Sequence, residues 1–402
     1  MSITGQRHAY KAVYKCGFSR EGPLRALDLR VYSNGGCSLD TSIPILERTL
    51  LHCDNIYQFH NMKLSGRVCK INLPSNTGMR GFGGPQGLMI CEIILDQVAS
   101  YVNIEPSLIR QRNLYKENEQ TYFKQRLRNW NIPKMWNQLL ETASYQQSLT
   151  EIEIFNRNSL YHKRGISVIG TKFDIGFHSA KFLHQAGALI HLYKDGSILL
   201  THGGVEMGQS LHTKMIQICA ELLKIDMSLI RISETSTDKI PNTSPTAASL
   251  SSDLYGMAIS NACQQLNERL QPLRDKHPTS NWSELIENAY YNRINLSAQG
   301  FYSTPNIVTN FDQNHAEFNY FTQGVGCSEV EVDCLTGDFI TLRTDILMDL
   351  GQSLNPKIDI EQIEVPTIVF KIAMMFGTLG VSAVNKCSKQ TIVAFRSGRR
   401  RT

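Results

Sequence analysis

Asp195 to Met215 reads DGSILLTHGGVEMGQSLHTKM, and the fold follows from this stretch. Asp195-Gly196 is a two-residue turn between two apolar runs, Leu189 to Tyr193 before it and Ile198 to Leu200 after it, which predicts an antiparallel hairpin. Small residues follow in HGGVEMGQS, His202 to Ser210. Leu211, Met215, Ile218, Leu222 and Ile225 then recur at helical spacing, with Ser210 placed to cap the helix.

The same grammar recurs on both sides. Ala12, Tyr14 and Cys16 alternate with polar residues before a turn at Arg20-Glu21-Gly22 and a second run from Leu24 to Val31. Val330 and Val332 face Ile340 and Leu342 across Leu335-Thr336-Gly337-Asp338. Helices are predicted for Leu88 to Val98, just past Pro85, and for Leu250, Leu254, Met257 and Leu266, where Ser244 would be the cap and Pro245 the first helical residue. Strands and helices come in blocks, so the expected class is α+β rather than a doubly wound sheet.

Composition narrows the function. The 402 residues are 42% hydrophobic and 19% charged, the signature of a globular chain with room for two or three cores. Lys plus Arg at 41 against Asp plus Glu at 36 leaves +5, and five of the basic residues lie in the last fifteen. The body is near neutral and has no aromatic-basic clusters, which argues against nucleic acid as a partner. Ten cysteines without a Cys-x-x-Cys pair give no zinc or iron–sulfur spacing, and reduced thiols are expected. Eleven histidines occur singly, so His202 and His212 read as hydrogen-bonding groups rather than ligands. Arg7, His8 and Lys11 stand where a signal peptide has its apolar core, and Ile372 to Val384 is too short to span a bilayer. The expected location is cytoplasmic, with the peroxisome as the alternative, and no membrane partner is expected.

Three loops of small residues precede helix starts. GMRGFGGPQG, Gly78 to Gly87, misses the dinucleotide fingerprint because Gln86 stands at its third glycine. Its glycine backbone and helix N–H groups still suit an anion, and Arg80 adds charge. HGGVEMGQS is the second loop; PNTSPTAAS, Pro241 to Ser249, is the third and is rich in hydroxyls. Together they favour a large polar anionic cofactor held mainly by backbone, a pterin or a nucleotide phosphate.

At these residues the chain resembles the molybdenum-cofactor domain of the xanthine dehydrogenase and aldehyde oxidase family. The likeness runs through NLPSNTGMRGFGGPQG, DGSILLTHGGVEMGQSLHTKM, ISETSTDKIPNTSPTAASLSSDLYG and CSEVEVDCLTGDFITLRTDILMDLGQSLNP, from about Arg7 to Glu364. It implies a two-lobed molybdopterin-binding domain with antiparallel hairpins packed by helices. The expected layout is a first lobe at 1–117, a connector at 118–158 anchored by Trp130 and Trp136, an incomplete second lobe at 159–364, and a divergent tail at 365–402.

The resemblance implies an oxidative hydroxylation of purines, hypoxanthine and xanthine to urate. Hydroxide on molybdenum attacks an electron-poor carbon, and electrons leave through 2Fe-2S clusters and FAD, which other regions of family members bind. It also implies a homodimer and a small-molecule substrate. Arg80, Gly81, Met207, Gly208, Gln209, Ala248, Ser249, Ser251 and Gln362 would contact the cofactor, and no side chain would bind the metal directly. Arg48 matches an arginine facing the purine, where it would stabilise negative charge developing on the ring. Phe82 and Phe177 match the two rings that hold a flat heterocycle.

The sequence departs from the family in places. His178 stands where xanthine-oxidising relatives have threonine, one residue is inserted before Phe182, and Ser210 replaces a glycine. No Gly-Glu-Pro-Pro string, which holds the family's general-base glutamate, is present. Turnover by this chain alone is therefore not expected. An aldehyde oxidase and a non-catalytic cofactor-binding remnant are the alternatives.

Overall fold

All three hairpins form. In the computed structural model, which describes residues 5–305, 307–310, 315–369 and 392–398, β1 (Tyr10–Phe18) pairs antiparallel with β2 (Leu24–Gly36). The helix α1 (Ser42–Leu51) crosses over, so β3 (Asn61–Lys70) joins β2 in parallel. Leu24, Leu27, Leu29 and Val31 project from β2 into a first core. There they meet α2 (Gly84–Val102), whose Leu88, Cys91, Leu95 and Val98 form one buried stripe. The short helix α3 (Pro106–Arg112) adds Ile109.

The polar stretch expected as a connector is irregular to Asn131 and helical beyond it. It forms α4 (Ile132–Thr142) and α5 (Tyr145–Asn158), and Trp130 and Trp136 are buried in the first core. Beside the tryptophans, Leu127, Ile132, Met135, Leu139 and Tyr145 of the same stretch are buried in that core.

Two cores share β4 (His162–Asp174), since Val168 belongs to the first while Phe173 and the following Ile175 belong to the second. β4 lies in an antiparallel sheet with β11 (Phe321–Asp333), β12 (Phe339–Asp349) and β13 (Ile392–Gly398). The second core lies beneath a sheet of order β7-β6-β5-β8, formed by β5 (Gln185–Leu192), β6 (Ile198–His202), β7 (Ile230–Ile232) and β8 (Ser297–Ser303). Its helices are α6 (Leu211–Leu223), α7 (Ser251–Lys276) and α8 (Trp282–Tyr291). A short hairpin joins β9 (Val308–Asn310) to β10 (His315–Glu317), and α9 (Pro356–Val369) follows β12. Antiparallel hairpins packed by helices make this an α+β fold, as expected.

Buried charge ties β4 to the first core. Lys172 on β4 reaches Asp54 at 2.6 Å, and both side chains are buried. Arg110 bonds Glu92 at 2.7 Å, and Glu92 also accepts from Asn55 and Tyr57. Each pair carries additional hydrogen bonds, the condition under which a buried charge is tolerated.

Both expected serine caps are corrected. Ser210 sits before α6 with φ 57°, and its side chain caps nothing. α7 starts at Ser251, not at Pro245, because Ala248 (φ 56°) and Ser249 (φ 55°) are both left-handed and interrupt the helix. Ser244 instead donates its hydroxyl to the Gln185 carbonyl at 3.1 Å. The described cysteines are free thiols, and among the described residues no single helix is long and apolar enough to cross a membrane. The Ile372 to Val384 stretch lies outside the described residues.

Candidate functional site

The three small-residue loops converge. In the first, the chain turns left-handed at Gly81 (φ 82°) and Phe82 (φ 54°) before entering α2. A Cβ on Gly83 would lie 1.9 Å from the Ile45 carbonyl oxygen, so only glycine lets α1 pass this close. Arg7 clamps the loop, its two terminal nitrogens donating to the Arg80 carbonyl at 2.6 Å and the Phe82 carbonyl at 3.2 Å. Burial lowers the pKa of both Arg7 and Arg80.

The second loop is organised by Glu206. Its carboxylate accepts the backbone N–H of Gly208, Ser210 and His212, each at 3.0 Å, and so performs the capping expected of Ser210. Burial works to raise the Glu206 pKa, but these bonds outweigh it and hold the carboxyl below its ordinary range. Gln209 accepts from the Met207 N–H at 2.6 Å and donates to the Val205 carbonyl at 2.9 Å. His202 is fully buried, and burial brings its pKa down to about 4. Its Nδ1 accepts the Gly204 N–H at 3.1 Å, and its Nε2 lies 3.1 Å from Nδ1 of His212.

Long-range bonds join the loops. Arg80 donates to the Gln362 carbonyl on α9 at 3.1 Å, and the Gln362 amide donates to the Gly208 carbonyl at 3.3 Å. The Val205 N–H donates to Thr246 at 2.9 Å, tying the second loop to the third. The Gly176 N–H donates to the Ala248 carbonyl at 3.1 Å, tying the third loop to the end of β4. These bonds link the loops that carry Arg80 and Gly81, Met207, Gly208 and Gln209, and Ala248 with Gln362, although the Arg80 and Gln362 positions are 282 residues apart; Ser249 and Ser251 follow Ala248 at the start of α7.

This circuit fits a large polar group held by backbone. Left-handed turns occur in all three loops, the Cβ direction of Gly208 meets no atom within 4 Å, and Met207 is 64% exposed beside it. Among the described residues no group of three His, Cys, Asp or Glu could hold a metal ion, so a metal here would come with its own organic ligand.

The side of the site at the end of β4 is dense with charge. Arg48, on the last turn of α1, is 3% exposed; it pairs with the Asp174 carboxylate at 3.2 Å and donates to the carbonyls of Asp174 at 2.6 Å and Gly176 at 2.9 Å. Phe173 and Phe318 flank the guanidinium at 5.0 and 5.3 Å. His52 reaches the same carboxylate at 2.7 Å. Burial opposes ionisation of Asp174, yet Arg48 and His52 outweigh it and hold its pKa far below the usual carboxylate range. Arg48 therefore grips the segment that carries Phe177 and His178.

Each phenylalanine meets a histidine. The His178 ring is 6.5 Å from Phe82 and its Nε2 is 3.3 Å from a Glu47 carboxylate oxygen; burial lowers its pKa. Phe177 packs edge-on at 5.7 Å against His184, whose Nε2 lies 3.0 Å from the Phe177 nitrogen and 2.8 Å from its carbonyl oxygen and bonds one or the other according to its tautomer. Sequence reasoning does not single out Glu206, Asp174, Glu47 or His184. Glu206 carries a usable signal, an acid just before the first helical turn. Asp174 carries none, because its partner Arg48 lies 126 positions away.

Family models described as molybdopterin cofactor-binding domain match residues 138–365 and 1–114. Xanthine dehydrogenase/oxidase of Mus musculus is 51% identical over 365 residues, covering 90% of this chain and 27% of that protein. Xanthine dehydrogenase of Dictyostelium discoideum is 50% identical over 368 residues, with the same coverage of 90% and 27%. The chain thus spans about a quarter of the length of these relatives. The solved aldehyde oxidoreductase from Desulfovibrio gigas superposes with a TM-score of 0.80 at 21% identity, covering 90% of this chain and 39% of that one, which speaks to the fold.

Proposed function

The chain belongs to the molybdopterin cofactor-binding domain family, and from that premise we propose that it is the cofactor-holding part of a molybdenum hydroxylase of the xanthine dehydrogenase type, acting on purines. The carrying observation is the Arg80–Gln362–Gly208 bridge, which unites three sequence-distant segments around an open glycine. When bound, the cofactor supplies the oxidising metal centre for hydroxylation of a ring carbon. Arg80 would contribute positive charge and the left-handed loops close backbone approach. Met207 and Gln209 would line the rim, while Ala248, Ser249 and Ser251 orient the group from the third loop. Half-identical relatives named xanthine dehydrogenases support the purine assignment.

The test is expression in a host that makes molybdopterin, followed by iodine oxidation and fluorescence measurement of the released pterin. The expected result is near-equimolar pterin in the purified chain, reduced in Arg80→Ala and Gln362→Ala. Pterin-free wild-type protein that is otherwise folded would overturn the reading.

One observation favours an aldehyde as substrate. His178, a buried imidazole where xanthine-oxidising relatives have threonine, stands 6.5 Å from Phe82 and takes up room beside a ring expected to hold the purine. Binding of benzaldehyde but not xanthine by the loaded chain, with xanthine binding restored by His178→Thr, would decide for it.

A further inference from the structure

The second loop opens α6, and the structure puts a carboxylate of the chain itself against its N–H groups. Glu206 takes the N–H groups of Gly208 and Ser210 through one oxygen and that of His212 through the other. Those donors lead from the loop through the N-cap Ser210 into the first turn of α6, where the helix dipole adds to the attraction for negative charge. The remainder of the loop is closed by the same logic. His202 takes the Gly204 N–H, Thr246 that of Val205, and Gln209 that of Met207. His202 accepts from a backbone donor at Nδ1, so in its neutral form the ring proton is on Nε2 and donates to His212.

With these six N–H groups taken, the loop's carbonyls and side chains carry most of what it can offer a ligand. The Gly208 carbonyl already shows this polarity, accepting from Gln362. Resting on the cofactor reading above, we propose that Glu206 is the positioning residue of the cofactor loop: it stands in for ligand charge at the α6 N-terminus, closes that end to oxyanions, and fixes the turn that presents Met207, Gly208 and Gln209. The loop is then an acceptor surface for N–H groups of the cofactor, while the cofactor's anionic end is held away from α6.

A purely structural cap and a charge-replacing one differ in a measurable way. Removing Glu206 frees three N–H donors at a helix N-terminus, so Glu206→Ala should gain affinity for inorganic phosphate that wild type lacks. The readout is the Gly208 amide in protein labelled with 15N-glycine, titrated with phosphate, with Gly208 assigned by Gly208→Ala. Phosphate should move the Gly208 signal in Glu206→Ala and leave it in place in wild type. In the molybdopterin-making host, Glu206→Ala should retain about 10-fold less pterin, the scale for outer-shell partners, and Glu206→Gln an intermediate amount. If Glu206→Ala does not fold, Glu206→Gln carries both measurements.

Phosphate shifting Gly208 equally in wild type would overturn the proposal, as would full pterin content in Glu206→Ala. If wild type binds no pterin, the cofactor reading fails, and the phosphate titration of the apo chain still decides the role of Glu206.

Discussion

Replacing Asp174 by asparagine should cost more stability than any surface change in this protein. The carboxylate is 2% exposed, 3.2 Å from Arg48 and 2.7 Å from His52. The amide of Asp174→Asn would keep the shape and lose the charge, leaving the Arg48 guanidinium buried without a counter-charge, with neutral oxygens as its only hydrogen-bond acceptors. Breaking a buried pair from one side costs about 3–5 kcal/mol. For units of this size each kcal/mol moves the thermal midpoint by about 2–4 °C, so the expected drop is roughly 6–20 °C at pH 7. The pH dependence has a definite sign. The folded pKa is depressed, so the contribution of Asp174 is complete above the ordinary aspartate value of about 4 and disappears as pH falls through the folded value. The gap between wild type and Asp174→Asn should therefore be constant from about pH 5 to 8 and narrow in stronger acid. Thermal unfolding followed by circular dichroism measures it. Adding Arg48→Met to Asp174→Leu should recover part of the loss, since an apolar pair replaces a broken ionic one. A midpoint within about 1–2 °C of wild type would refute the assignment, because so small a shift leaves less than about 1 kcal/mol for the whole ionic cluster.

Two further outcomes follow from the loops. Gly203→Ala should destabilise by about 1–3 kcal/mol or more, because its new Cβ would meet the Thr243 methyl at 1.7 Å; pterin content should fall with it, and chemical denaturation plus pterin fluorescence check both. His202 is held neutral, with its pKa brought down to about 4, so the unfolded chain binds the extra proton first as pH falls. Wild-type stability should decline from about pH 6.5 to about 4, and His202→Gln should flatten that slope by one proton, as read from denaturation at each pH.

The three hairpins and the main helices were legible because their signals are local. Asp195-Gly196 closes a turn by its own backbone preference, and Leu211, Met215 and Ile218 share a helix face through spacing alone. The family was legible for a different reason, the length and specificity of motifs such as GMRGFGGPQG. The capping serines were misread because Ser210 and the residues before Ser251 adopt left-handed backbone, which only the surrounding contacts select. Glu206 won the cap at α6 because its longer side chain reaches three N–H groups at once, a geometry that follows from the shape of the loop.

By itself, then, the sequence determined the class of the fold and the order of its hairpins and helices, since each rests on neighbours within a few turns of chain, and its long motifs determined the family. Only the tertiary structure decided what those residues face. Arg48 is turned to Asp174, Phe82 is set against His178, and Arg80 is joined to Gly208 through Gln362. These partners come from separate elements, and burial, which makes every unpaired charge or donor costly, forces them together.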